Sequence, residues 1–136
     1  MRDELYDDMA AASSLPSAIR TAAATVPGTT VDTQGANHNN YRSAMVIAVA
    51  GAVTDGTHTV KIQESPDNST WTDVPAGSVM GDSGVFATAQ ANTTQRLVYL
   101  GSMRYIRAAV TTAGATVGGV VSAIVVMKDG SGRPVV

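Results

Sequence analysis

Apolar positions along this chain fall into short runs and alternations. Ser43 to Val53 (SAMVIAVAGAV) is almost continuously apolar, which predicts a central strand buried on both faces. His58 to Ser65 alternates, with His58, Val60, Ile62 and Glu64 on one face and Thr59, Lys61 and Gln63 on the other. Thr94 to Leu100 sets Leu97 and Tyr99 opposite Arg96 and Val98. Arg104 to Thr112 and Val117 to Lys128 read as two further long strands. Thr29 to Thr33, Thr70 to Val74 and Val85 to Ala91 read as shorter or weaker ones. Turn chemistry separates these segments. Thr54-Asp55-Gly56-Thr57 reads as a hairpin, because Asp-Gly accepts the positive φ angles of a type I′ turn. Pro66-Asp67-Asn68-Ser69, Gly101-Ser102 and Ala113-Gly114-Ala115 read as turns, and residues 76–84 as a loop. The pattern predicts an all-β chain: a single β-sandwich or jelly-roll-like domain of about seven or eight strands over residues 29–128.

The first 28 residues read differently. Glu4 to Ala12 has the makings of about two helical turns, but too few large apolar residues to hold them on a core. Pro16 and Pro27 interrupt longer structure. Residues 1–28 are therefore expected to form an extended N-terminal arm that is ordered by docking. Leu5, Tyr6, Leu15 and Ile19 serve as its apolar anchors and Arg20 as an added contact. Residues 129–136 (DGSGRPVV) read as a C-terminal tail.

Composition supports the strand reading. Ala, Val, Thr and Gly make up half of the 136 residues, whereas Leu occurs four times and Glu and Lys twice each. Val and Thr are β-branched and suit a pleated surface. Small residues at Ala44, Ala48, Ala50, Ala52, Ala108, Ala109 and Ala123 predict closely approaching sheets and a thin core. A hydrophobic content of 44% argues against a wholly disordered chain. No apolar run reaches the roughly 18 residues of a membrane-spanning helix. The acidic start does not read as a secretory signal. With no cysteine, disulfides and thiol chemistry are excluded, which fits synthesis in a reducing cytoplasm. The net charge of −2 argues against a nucleic-acid partner.

The search for chemistry yields little. His38 lies in a polar turn and His58 at a strand start, without metal-ligand spacing, so no metal site or cofactor is expected. No nucleophile elbow or phosphate loop is present. Glu64, Asp67 and Asp73 are the carboxylates that a glycosidase pair would need, but Asp67 reads as a turn cap. No catalytic residue is assigned, and the chain is not read as an enzyme. Arg96, Arg104 and Arg107 are either contacts for an acidic partner or solvated charges, and the parity of Arg104 and Arg107 keeps them from sharing one face. Trp71, with Tyr41, offers stacking surface for a sugar ring, against the alternative of a core or rim tryptophan.

Three stretches carry a resemblance: Val46 to Ser65 (VIAVAGAVTDGTHTVKIQES), Asp67 to Val74 (DNSTWTDV) and Tyr99 to Arg107 (YLGSMRYIR), continued by Ala113 to Val120 (AGATVGGV). Across about residues 29–128 the chain resembles small structural proteins of tailed-phage heads, of the capsid decoration or cement type. The resemblance implies a rigid sandwich bound to the outer surface of the capsid. Its implied partners are the major capsid protein and sister copies in a dimer or trimer. Its implied place is the exterior of a virion assembled in the host bacterial cytoplasm. Two alternatives stand beside it: the base of a head spike or a tail accessory protein, and a carbohydrate-binding module centred on Tyr41 and Trp71.

Overall fold

The computed structural model describes residues 9–34 and 41–128. These residues form a β-sandwich of two antiparallel sheets. The strands are β1 (Met9–Arg20), β2 (Thr25–Pro27), β3 (Val31–Asp32), β4 (Ser43–Val53), β5 (Thr57–Ser65), β6 (Thr72–Asp73), β7 (Val79–Gly81), β8 (Val85–Phe86), β9 (Thr94–Tyr99), β10 (Tyr105–Ala113) and β11 (Gly119–Lys128). The first sheet has the order β1-β11-β4-β9-β7. In the second, β10 and β5 are central; β2 and β3 flank β10, and β6 and β8 flank β5.

The all-β expectation holds, and β4, β5, β9, β10 and β11 lie where the apolar runs and alternations place them. Their inward residues make a core of small and β-branched side chains around Phe86. Ala44, Ala48, Ala50, Ala108 and Ala123 are all buried there, so the sheets approach closely. Ala52 is exposed instead.

Residues 9–20 correct the expectation of an arm. They form neither helical turns nor a detached segment, but the edge strand of the first sheet, paired with β11 along its length. The pairing shifts twice, between Ser13 and Leu15 and between Leu15 and Ala18. Each shift inserts one extra residue into β1, as a bulge does. The first bulge turns two successive side chains, Ser14 and Leu15, into the interior. Pro16 sits in the second, where an edge strand tolerates a missing donor. Leu15, expected to reach a partner, is 1% exposed and belongs to this chain's own core.

Ser14 ties the sheets together. Its Oγ accepts the Ala108 N–H of β10 at 2.9 Å and donates to the Thr29 carbonyl at 2.8 Å. The Thr29 N–H returns to the Ser14 carbonyl, and the Gly28 N–H donates to the Ala108 carbonyl. A Cβ on Gly28 would overlap the Ser14 carbonyl, so only glycine permits this approach.

Other expectations shift in detail. Asp55-Gly56 does not close a hairpin, because β4 and β5 lie in different sheets. It is a corner between layers, with positive φ at Gly56 and not at Asp55. Pro66 to Ser69 does connect paired strands, β5 and β6, with Asn68 at positive φ. The expected 76–84 loop contains a 3₁₀ turn and β7, and the expected 85–91 strand is β8 followed by a 3₁₀ turn. On β4, Ala44, Val46, Ala48, Ala50 and Val53 are buried, while Met45, Ile47 and Val49 face outward.

Ser14→Ala should lower unfolding free energy by about 1–3 kcal/mol, since it strands a buried donor and acceptor. Leu15→Ala should cost about 2–5 kcal/mol. Urea denaturation checks both, and unchanged stability of either variant would refute the interior placement of the β1 bulge. Deleting residues 2–20 should unfold the sandwich.

Candidate functional site

Besides Ser14, the buried polar groups of the sandwich lie toward its two ends. At one end His58 on β5 is fully buried, with Nδ1 3.0 Å from Thr112 Oγ1 and Nε2 3.2 Å from the Asp55 carbonyl. Gly119 makes room for it, because a Cβ there would press on the imidazole. Beside it the Asp55 carboxylate accepts the successive N–H groups of Thr116, Val117 and Gly118, the last at 2.6 Å. These bonds, the Gly118 one foremost, hold the Asp55 carboxyl below its ordinary value. The carboxylate thus locks the β4–β5 corner onto the β10–β11 corner.

At the other end Tyr99 on β9 reaches across the layers. Its hydroxyl donates to Glu64 Oε2 at 2.5 Å and accepts the Met103 N–H at 3.0 Å. Burial first, and the Glu64 bond second, push the Tyr99 hydroxyl up to about 12. A cleft of about 260 Å³ opens beside it, bordered by Thr33, Tyr41, Ser43, Gly101 and Met103.

The remaining carboxylates are also engaged. Asp67 accepts the Thr70 and Ser69 N–H groups and the Ser65 hydroxyl, as a turn cap does. Asp73 accepts Lys61 Nζ at 2.7 Å and Gln63 Nε2 at 2.9 Å. Asp32 holds the Arg104 guanidinium through two bonds, and Asp82 accepts the Arg96 N–H. All six described acidic side chains are therefore committed to local structure. Glu64, Asp67 and Asp73 share no hydrogen-bond partner: Glu64 accepts from Tyr99, Asp67 caps its own turn and Asp73 accepts from Lys61 and Gln63. Among the described residues no three His, Cys, Asp or Glu side chains lie close enough to hold a metal ion.

The expected contact residues scatter. Leu5, Tyr6 and His38 lie outside the described residues. Ile19 is 67% exposed on β1, whereas Leu15 is core. Arg20 Nη2 donates to the Pro16 carbonyl at 2.8 Å, across the second bulge. Tyr41 packs against the core at the cleft. Trp71 instead carries the Arg107 guanidinium 4.1 Å over its ring, on the outside of the second sheet. Arg107 also donates to Gln63 at 2.9 Å, so Tyr41 and Trp71 serve separate surroundings and do not form one stacking platform. Arg96 belongs to the first sheet, apart from Arg104 and Arg107 on the second.

One surface escaped the sequence reading. On the outside of the first sheet, Met80, Val98, Met45, Val126 and Ala11 form a row across all five strands. Arg96, Ile47, Ile124 and Ser13 form the next. Val49 and Ile124 are 43% and 40% exposed, and Met80 58%. The outside of the second sheet is polar by contrast, with Lys61, Gln63, Asp73 and Arg107 bonded to one another.

The carboxylates set the acid limb of stability. Asp55, Asp67 and Asp73 have folded values below 3.8, so the unfolded chain protonates first as pH falls. Their contribution is complete above that value and is lost as pH drops through the folded values. The melting temperature should hold down to about pH 5 and decline below about pH 4, more gently for Asp55→Asn. Tyr99 works in reverse: its contribution is present below 10.0 and is lost as pH rises through about 12. Ultraviolet difference titration should show one tyrosine ionising last, and Glu64→Gln should bring it forward. Comparison with protein-family models, with curated proteins and with solved structures finds no match to this chain.

Proposed function

We propose that this chain is a structural virion protein, a decoration or cement protein that binds the outer surface of a phage capsid and reinforces it. The carrying observation is that every described acidic side chain is tied into a corner, a turn or a strand pair. What such a molecule offers outward is surface, which suits bridging between shell subunits. The resemblance of residues 29–128 to phage-head proteins supplies the identity of the shell. Many symmetric copies make a modest contact effective.

The placement of β1 changes how docking would work. Leu15 is withdrawn as a contact, because it fills the core. The docking element becomes residues 1–8, with Leu5 and Tyr6, whereas Ile19 lies at the far end of β1 on the outer face of the first sheet. Those eight residues carry Arg2 against Asp3, Glu4, Asp7 and Asp8, so a basic patch on the capsid would complement them. The carbohydrate-binding alternative loses support, since Trp71 is already capped on one ring face and Tyr41 lies elsewhere.

Quantitative stoichiometry of the purified particle tests the reading. About one copy, or about one-third of a copy, per major capsid subunit is expected for a symmetric cement protein. A handful of copies would instead indicate a spike base or tail part, and absence from the particle would overturn the virion role. A chain lacking residues 2–8 should fold normally and no longer co-sediment with particles. Retained binding by that chain would refute docking through the N-terminal segment.

A further inference from the structure

The outward face of the first sheet carries its own message. The β4 sequence is apolar at nearly every position, which is the pattern of a strand covered on both faces. The described chain covers only one. Outside lie Met45, Ile47, Val49, Val98, Ile124 and Val126, contiguous across β9, β4 and β11. Arg96 and Lys128 are the charged side chains among the described residues of this face, at its rim and its end.

We infer that this face pairs with the same face of a second copy, giving a two-fold dimer of sandwiches. Three observations select that occupant. The first is area. The five strands have 12, 10, 11, 6 and 3 residues. At about 3.3 Å per residue and about 4.8 Å between strands they present about 650 Å². Two such faces bury about 1,300 Å², within the range of specific dimers. The second is chemistry. A self-complementary contact must avoid like charges at its centre, and here the centre is the adjacent pair Ile47 and Ile124. With the two-fold axis at that pair, the Arg96 side chains of the two copies fall on opposite sides. The third is that lateral addition is blocked. β1 carries two bulges and Pro16, and β7 at the opposite edge is three residues long. Copies cannot extend the sheet through its edges, so association runs through the face. Two sheets stacked this way lie about 10 Å apart with interleaved side chains.

The pairing is a property of the isolated chain, so its test is separate from capsid binding. Sedimentation velocity on the full chain, from about 1 to 100 μM, should show a species of twice the 13.9 kDa chain mass. The expected dissociation constant is on the order of 1–10 μM, as for a modest, mostly apolar interface. The melting temperature should rise with concentration. Ile124→Lys and Val49→Lys replace half-exposed side chains and should fold, as circular dichroism will show, yet weaken pairing by about 100-fold or more. Thr59→Lys, on the polar outer face of the second sheet opposite Thr111, should pair like the parent. A parent chain that stays monomeric with a concentration-independent melting temperature would overturn the inference. So would unaltered pairing in Ile124→Lys, or assembly beyond two copies.

Discussion

Ser14 carries hydrogen bonds that belong to three parts of the fold at once. Its backbone lies in an edge strand of the first sheet, its hydroxyl accepts from β10 in the second, and it donates to the segment linking β2 and β3. A serine can do this only where a bulge turns it inward, and the bulge exists because two successive β1 residues oppose one on β11. The same bulge delivers Leu15 to the core. Small core residues then matter twice. They let the layers approach closely enough for a two-atom side chain to span them, and they leave few large contacts to compensate if that link fails.

The polar ends of the sandwich obey the same constraint. A thin core lets side chains near the margins bridge the layers or brace their crossings, and this chain uses Tyr99 with Glu64 at one end and Asp55 with His58 at the other. Each spans or pins a place where the chain crosses from one sheet to the other. Carboxylates and an imidazole that suggest catalysis in a list of residues are thereby consumed as fasteners. This is why the molecule's outward character is decided by its two sheet faces: one polar and internally bonded, the other apolar and bare among the described residues.

Much of this architecture is legible in the residues. β5 and β9 announce themselves by alternation, and β4, β10 and β11 by long runs rich in β-branched and small apolar residues. β1 does not, because Ala and Ser dominate it and give almost no contrast between faces, while Pro16 reads as a breaker unless the strand is known to be an edge. The Asp55-Gly56 pair is the same local chemistry in a hairpin and in a corner. What separates them is which strand pairs with which, a long-range fact. The pairing of Arg107 with Trp71 is likewise invisible locally, since it joins β10 to the β5–β6 link. Of the expected contact residues, Ile19 keeps its exposure and Leu15 does not, a difference set by the bulge and not by residue type.

The apolar run of β4 shows where pattern and structure inform each other. Read alone, it asks for cover on both faces, and the natural inference is that the chain itself supplies it. The described residues cover one face only, so the remaining demand points outward. Edges blunted by bulges, a proline and a three-residue strand prevent that demand from being met by open-ended sheet extension. A face that meets its own copy through a two-fold axis closes on itself, and the polar surface is left on the outside of the pair. An assembly unit built this way would be finite and would leave the polar outer faces of both second sheets exposed. In such a unit the demand left open by the apolar strand is met by association, and the fold that leaves it open also limits that association to two copies.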